Sequence, residues 1–165
     1  MIQKKICLLG AFAVGKTSLI KRYVSSLYSD KYHTTVGVKI DKKLVSVGDK
    51  ALTLMIWDVA GEDDYTTLKP TYIRGAGGCI IVVDTTRPNT FEVALMLHGR
   101  VKEHAGDIPV LFALNKCDLK EKWLLEDKHL NQLAAFQLPI IKTSAKDGLG
   151  VDAMFQALAE RMIEV

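Results

Sequence analysis

Gly10-Ala11-Phe12-Ala13-Val14-Gly15-Lys16-Thr17 is the most informative run in this chain. It fits G-x-x-x-x-G-K-[ST], the pattern of a loop that cradles phosphates. Just before it, Ile2–Leu9 reads as a strand, and just after it, Lys16–Leu27 reads as a helix. The pattern needs that context: loop N–H groups turn inward around an anion, and the helix N-terminus adds positive potential. Lys16 would reach the β- and γ-phosphates, and the Thr17 hydroxyl suits Mg²⁺. Ala13, Val14, Gly15 and Ser18 complete the expected phosphate contacts. The bland alternative is a strand–helix turn with an incidental Lys-Thr. A chance match in a chain of this length is on the order of one per cent. The motif implies a nucleoside triphosphate without naming its base.

Beyond the loop, strands alternate with helical stretches, the pattern of an α/β fold. Val38–Val47 and Ala51–Trp57 flank Gly48-Asp49 and read as a hairpin. Gly77–Val83 and Pro109–Leu114 are continuous apolar runs, as central parallel strands buried on both faces require. Pro139–Thr143 reads as a short strand. Asn89–His104, Leu125–Phe136 and Val151–Ile163 read as helices, with Asn89 or Thr90 as an N-cap after Pro88. No repeat, low-complexity tract or linker interrupts the sequence, so one domain over residues 1–165 is expected.

Composition narrows the classes. The 165 residues are 48% apolar and 25% charged with 4 prolines, which excludes disorder and fibrous repeats. Lys+Arg is 22 against Asp+Glu 19, a net charge of +3, and the lysines are scattered. No dense basic patch exists to bind nucleic acid. Cys7, Cys79 and Cys117 show no metal-type spacing and read as free buried thiols in a reducing compartment, so a cytoplasmic location is expected. His33, His98, His104 and His129 are dispersed without a zinc pattern. The longest apolar run, Cys79–Val83, is far short of the ~20 residues of a membrane span. Lys4 and Lys5 before an apolar stretch, with Ala11-Phe12-Ala13 following, mimic a signal peptide. Ile6–Leu9 is too short for its apolar core, however, and cleavage there would destroy the phosphate motif.

Three later segments bear on base and reaction. Asn115-Lys116-Cys117-Asp118 follows the Pro109–Leu114 strand, at the carboxyl end where open α/β sheets bind ligands. An ionised Asp118 offers two acceptors, matching the adjacent N1–H and 2-amino donors of guanine. Adenine would leave that carboxylate unpaired at a cost of about 1–3 kcal/mol or more. Ser144-Ala145-Lys146 closes the next strand and can bring a backbone N–H to the guanine O6. Asp58-Val59-Ala60-Gly61 follows Ala51–Trp57; an acid there is the expected Mg²⁺ partner, and Gly61 permits close approach to a γ-phosphate.

With these segments in order, the chain resembles Ras-superfamily small GTPases over essentially its whole length. The resemblance implies a P-loop G domain: a six-stranded, mostly parallel sheet with one antiparallel strand and helices on both faces. It implies GTP and GDP as substrate and product, with Mg²⁺ as cofactor. Thr35 would bind Mg²⁺ and the γ-phosphate, Tyr28 would pack edge-on against guanine, Lys116 would cover the base, and Tyr32 would close over the phosphates. Lys16, Thr35, Gly61 and Glu62 would serve hydrolysis; Thr17, Thr35 and Asp58 would serve the metal. Residues around Tyr28–Val38 and Gly61–Arg74 would form two switches, with effectors or regulators meeting Tyr28–Ile40 and Trp57–Arg74. Ile40, Trp57 and Tyr72 match the apolar trio of Rab-like proteins; ordinary core packing explains them equally well.

Subfamily features are mixed. Ala13 and the run Trp57 to Tyr65 resemble Rho proteins, and Thr35-Val36-Gly37-Val38 resembles Rab proteins. The stretch between Asp118 and Ser144 is too short for the helical insertion of Rho proteins. No C-terminal cysteine motif for prenylation is visible, so no membrane anchor is expected within this sequence.

Two positions depart from the family in ways that bear on chemistry. Glu62 stands where the family usually has Gln to orient the attacking water. Its carboxylate would face an anionic γ-phosphate, and two unit charges ~5 Å apart repel by roughly 3 kcal/mol at an effective dielectric near 20. Phe12 stands where the family places a small residue; its ring either crowds Glu62 and an incoming arginine finger or turns outward. No arginine lies between Tyr28 and Val38 to act in cis, and Arg74 reads as structural. The leading expectation is a slow GTP-hydrolysing switch, and the alternative is a GTP-binding interaction module with negligible catalysis. A small ATP-dependent kinase is disfavoured by Asp118 and by the lack of an arginine-rich lid.

Overall fold

The computed structural model describes residues 2–26, 37–60 and 68–164. The elements run β1 (Ile2–Gly10), α1 (Lys16–Ser25), β2 (Val38–Val47), β3 (Lys50–Val59), α2 (Pro70–Ile73), β4 (Gly78–Asp84), α3 (Asn89–Ala105), β5 (Val110–Asn115), α4 (Asp127–Ala134), β6 (Ile140–Lys142) and α5 (Val151–Glu164). One six-stranded sheet has the order β2-β3-β1-β4-β5-β6. Only β2 and β3 pair antiparallel, with Val47 opposite Lys50; the other neighbours are parallel. Gly48 has φ 60 and takes the positive-φ position of that two-residue turn.

The apolar runs explain the layering. Every residue of β4 and β5 is buried, as strands covered on both faces must be. On one face α5 lies over Gly78, where a Cβ would sit 3.0 Å from both Leu158 and Met162. On the other, Val93 and Leu97 of α3 border a small void with Leu9 of β1. Tyr23 of α1 stacks on Phe155 of α5, with centroids 4.0 Å apart, joining the two helices of the first face. The sheet order reverses at β1, so the carboxyl ends of β1 and β4 open a crevice at a switch point.

The α/β class, the mostly parallel sheet and the hairpin agree with the sequence reading. Element ends differ in instructive ways. Helix α1 stops at Ser25 rather than Leu27, because Ser26 takes a left-handed turn with φ 57. Asn89 and Thr90 do not cap α3. Asn89 is already helical, and the Thr90 hydroxyl accepts from the Asp84 N–H at 2.9 Å and donates to Arg87 O at 2.8 Å. Helix α4 begins at Asp127, not Leu125, because Glu126 forms a capping box with His129. It ends at Ala134 instead of Phe136. The short α2, opened by Pro70, and a single 3₁₀ turn at Lys120–Lys122 lack the length to show in sequence periodicity. The three cysteines are free and buried. Among the described residues, no helix is long and apolar enough to cross a membrane.

Candidate functional site

The site is built where β1, β3, β4 and β5 end. The phosphate loop leaves β1 at Gly10, where a Cβ would lie 2.8 Å from Val82 O. Ala13 adopts φ 62 and Gly15 φ 104, so the loop turns twice through the left-handed region. At Gly15 a Cβ would also run into Asn115 Nδ2, so only glycine fits. Lys16 is 6% exposed and folds back over the loop, its Nζ donating to Gly10 O at 3.2 Å and Ala11 O at 3.4 Å. Thr17 Oγ1 donates to Asp58 Oδ2 at 2.5 Å, so the helix start and the end of β3 bring their oxygen groups together.

The loop after β5 meets the phosphate loop directly. Asn115 Nδ2 donates to Val14 O at 2.9 Å, and Asn115 Oδ1 accepts from Thr143 Oγ1 at 3.0 Å. Lys116, with φ 65, directs Nζ to Ala13 O at 3.1 Å and to Asp84 Oδ2 at 2.7 Å. Asp118 Oδ1 accepts from Ser144 Oγ at 2.9 Å, and Ser144 Oγ in turn accepts from the Asp147 N–H at 3.0 Å. Burial pushes the Cys117 thiol above its usual range, with the neighbouring Asp118 adding to the effect. That thiol is therefore protonated at neutral pH and packs as a small apolar group.

Gly15, Ser18, Asn115, Lys116, Asp118, Ala145 and Lys146, together with Leu119, line one open cleft of about 290 Å³. Residues far apart in sequence thus converge: Gly15 of the phosphate loop and Ser18 of α1, Asn115, Lys116, Asp118 and Leu119 from the end of β5 onward, and Ala145 and Lys146 after β6. Tyr28, Tyr32, Thr35, Gly61 and Glu62, with much of the two switch segments, lie outside the described residues. Phe12 is 37% exposed at the tip of the loop, and its carbonyl accepts from Arg87 Nη2 at 2.5 Å. Ile40 is exposed, while Trp57 and Tyr72 are half-buried against the core, with Lys5 Nζ 3.6 Å above the Trp57 ring. The trio therefore divides between the two explanations offered for it.

Sequence reasoning missed Asp84, Thr143 and Arg87. Asp84 has 0% exposure and gathers Lys116 Nζ, the Thr86 N–H (2.9 Å) and the Thr86 hydroxyl (2.6 Å). Its one signal was a carboxylate ending a continuous apolar strand on the edge where ligands bind. Among the described residues, no group of three or more His, Cys, Asp or Glu is arranged to hold a metal. The Thr17 hydroxyl with Asp58 is a different, smaller oxygen set.

Comparison with known proteins agrees with this geometry. The model of the Ras family matches residues 5–164. The Ypt/Rab-type GTPase YPT7 of Saccharomyces cerevisiae is 34% identical over 97% of this chain and 81% of its own length. Ras-related protein Rab7 of Drosophila melanogaster is 33% identical over 98% of this chain and 81% of its own. Ras-related protein Rab-21 of Geodia cydonium is 35% identical over 99% and 72%. All three relatives carry Rab or Ypt/Rab names.

Proposed function

The chain belongs to the Ras family of small GTPases, and on that premise we propose how its own residues bind and hydrolyse GTP. The supporting observation is that Asn115 and Lys116 bond the phosphate loop, Ser144 bonds Asp118, and Gly15, Asn115, Lys116, Asp118, Ala145 and Lys146 share one cleft. We read residues 1–165 as one G domain acting in the cytoplasm as a switch.

The loop N–H groups of Val14 to Thr17, with Ser18 beside them, take the α- and β-phosphates, and the Ala13 N–H lies toward the β–γ bridge. Lys16 swings from the Gly10 and Ala11 carbonyls to the β- and γ-phosphates, exchanging two neutral acceptors for charged ones. Asp118 takes the two guanine donors, and Ser144 holds the carboxylate in place. Lys116 and Tyr28 enclose the base plane, and the backbone at Ala145 and Lys146 meets O6. Thr17 and Asp58 fit Mg²⁺: a hydroxyl and a carboxylate that is 1% exposed lie together at the start of α1, both hard oxygen donors. With Thr35 they would hold the ion, which supplies neutralisation of charge on the β- and γ-phosphate oxygens. Thr35 and Gly61 bind the γ-phosphate. Their release on hydrolysis changes the surface from Tyr28 to Ile40 and from Trp57 to Arg74 that effectors or regulators read.

Hydrolysis is slow in this reading. Glu62 brings a carboxylate toward an anionic phosphate, and Phe12 places a ring where an arginine finger would enter. An alternative with negligible catalysis, a GTP-holding interaction module, is favoured by the same two residues. The nucleotide that copurifies decides between them: GDP supports the enzyme, and intact GTP persisting for days with Mg²⁺ supports the module. Titration is expected to give at least ~100-fold preference for guanosine over adenosine nucleotides, from the unpaired carboxylate adenine would leave. Equal affinity overturns the assignment of Asp118.

A further inference from the structure

Three successive carbonyls of the phosphate loop are held from outside. Phe12 O accepts from Arg87 Nη2 at 2.5 Å, Ala13 O from Lys116 Nζ at 3.1 Å, and Val14 O from Asn115 Nδ2 at 2.9 Å. No peptide among the described residues is cis. In a trans peptide the C=O and the following N–H point in opposite directions. Each hold therefore turns the next N–H, on Ala13, Val14 and Gly15 respectively, away from its holder and into the cradle. Asn115 and Lys116 belong to the base-recognition segment, whereas Arg87 belongs to no segment assigned above.

Arg87 is not a loose surface cation. Its Nε lies 3.4 Å from Asp84 Oδ2, the oxygen that also takes Lys116 Nζ at 2.7 Å. The Asp84 carboxylate has no solvent exposure, and Thr86 fixes its other oxygen. One buried anion thus sets the direction of both cations, and each cation holds one carbonyl of the loop tip.

We propose that Arg87 is a positioning residue for phosphoryl transfer: it orients the Phe12–Ala13 peptide so that the Ala13 N–H donates to the oxygen bridging the β- and γ-phosphates. This rests on the reading of the loop as a GTP site. In the reaction a water oxygen bonds to the γ-phosphorus, and the bond from that phosphorus to the bridging oxygen breaks. The electron pair stays on the bridging oxygen, which becomes a terminal oxygen of GDP, and the water's proton leaves toward the released phosphate. A donor aimed at that oxygen strengthens as its charge grows, so it acts on the chemical step more than on ground-state binding. In GDP that oxygen persists as a charged terminal oxygen of the β-phosphate, so the same N–H also serves product binding, and what singles out its action on the bridge is a bridging atom that cannot accept.

The test compares Arg87→Ala, Arg87→Met, which keeps the apolar stem, and Arg87→Lys with the unmodified chain. Single-turnover GTP hydrolysis is expected to fall about 10-fold in the first two, a partial loss against the 10²–10³ of deleting such a donor outright. GDP affinity is expected to fall by no more than the rate does, since the former bridging oxygen stays within reach of the same N–H and the other loop donors remain. The ratio of GTP affinity to that of the β,γ-imido analogue should drop toward one, because the imido N–H cannot accept from Ala13. Arg87→Lys should restore part of both readouts. Should Arg87→Ala fold poorly, Arg87→Met carries the comparison. An unchanged rate and ratio in both variants overturns the proposal. So does a loss of rate with an unchanged ratio of GTP to imido-analogue affinity, which marks a merely structural arginine. An unmodified chain that binds no guanine nucleotide instead overturns the GTP reading itself, before any variant is compared.

Discussion

At the carboxyl ends of the parallel strands, polar side chains turn inward and grip backbone; on the outer face of the β2–β3 hairpin, side chains turn out to solvent. Lys16, Asn115, Thr143 and Ser144 are all buried, and their partners are mainly carbonyls or one another. On the hairpin, Ile40 faces Trp57, Lys42 faces Met55 and Leu44 faces Thr53, and Leu44 is 62% exposed. The hairpin is held by its own ladder, by the pairing of β3 with β1 and by the buried Leu52, Leu54 and Ile56 on its inner face, so its outer side chains can vary without disturbing the fold. The site is held by side chains reaching across the sheet, so nearly every group there has a geometric duty. A binding pocket built from peptide groups needs such scaffolding, because peptide dipoles cannot be moved one at a time.

The contrast can be broken most severely at Lys16. Lys16→Ala is expected to weaken GTP binding by at least ~100-fold, since it removes charge-assisted bonds worth about 1.5–3 kcal/mol each. Tight binding by that variant, measured by titration, would count heavily against the phosphate assignment. Gly15→Ala comes next. Its Cβ meets Asn115 Nδ2 at a φ of 104, so a loss of about 2 kcal/mol or more in stability, with weaker nucleotide retention, is expected by thermal melting. Glu62→Gln sharpens the chemistry: removing charge repulsion should speed single-turnover hydrolysis about 10-fold, well under the full repulsion estimate. No change would end the repulsion argument.

The hairpin should respond in the opposite manner. Leu44→Lys is expected to shift stability by less than about 0.5 kcal/mol and leave GDP affinity intact. A large loss would show that this face is covered in the working protein. The smallest effect concerns His98, packed edge-on against Phe112 and Phe136. Burial, and then Lys102, hold its pKa below the usual 6.5. The unfolded chain then binds the extra proton more readily, so this contribution is full above pH ~6.5 and is lost as pH falls through the folded value. His98→Gln should flatten that part of the stability-against-pH curve; an unchanged slope would assign it elsewhere.

Much of this contrast was legible in the residues alone. The loop from Gly10 to Thr17, the strand-end segments at Asp58, Asn115 and Ser144, and the Gly48 turn each carry strong local chemistry. Helix ends were less legible, because Ser26, Thr90 and Glu126 act through geometry that no residue type announces. Arg87 left no mark in the sequence, and Asp84 only a faint one, for another reason. Their importance comes from what they touch across the sheet, and periodicity reports only which face a residue occupies.

The hold on the loop tip also has a consequence for biogenesis. Phe12, Ala13 and Val14 emerge early in translation, whereas Arg87, Lys116 and Asn115, which fix their carbonyls, follow 75, 103 and 101 residues later. A nascent fragment carrying the complete motif therefore lacks the braces that shape it. Ribosome-tethered chains ending before Asn115 should show no tight nucleotide capture, which makes the bound guanine nucleotide a certificate that synthesis has passed the fifth strand.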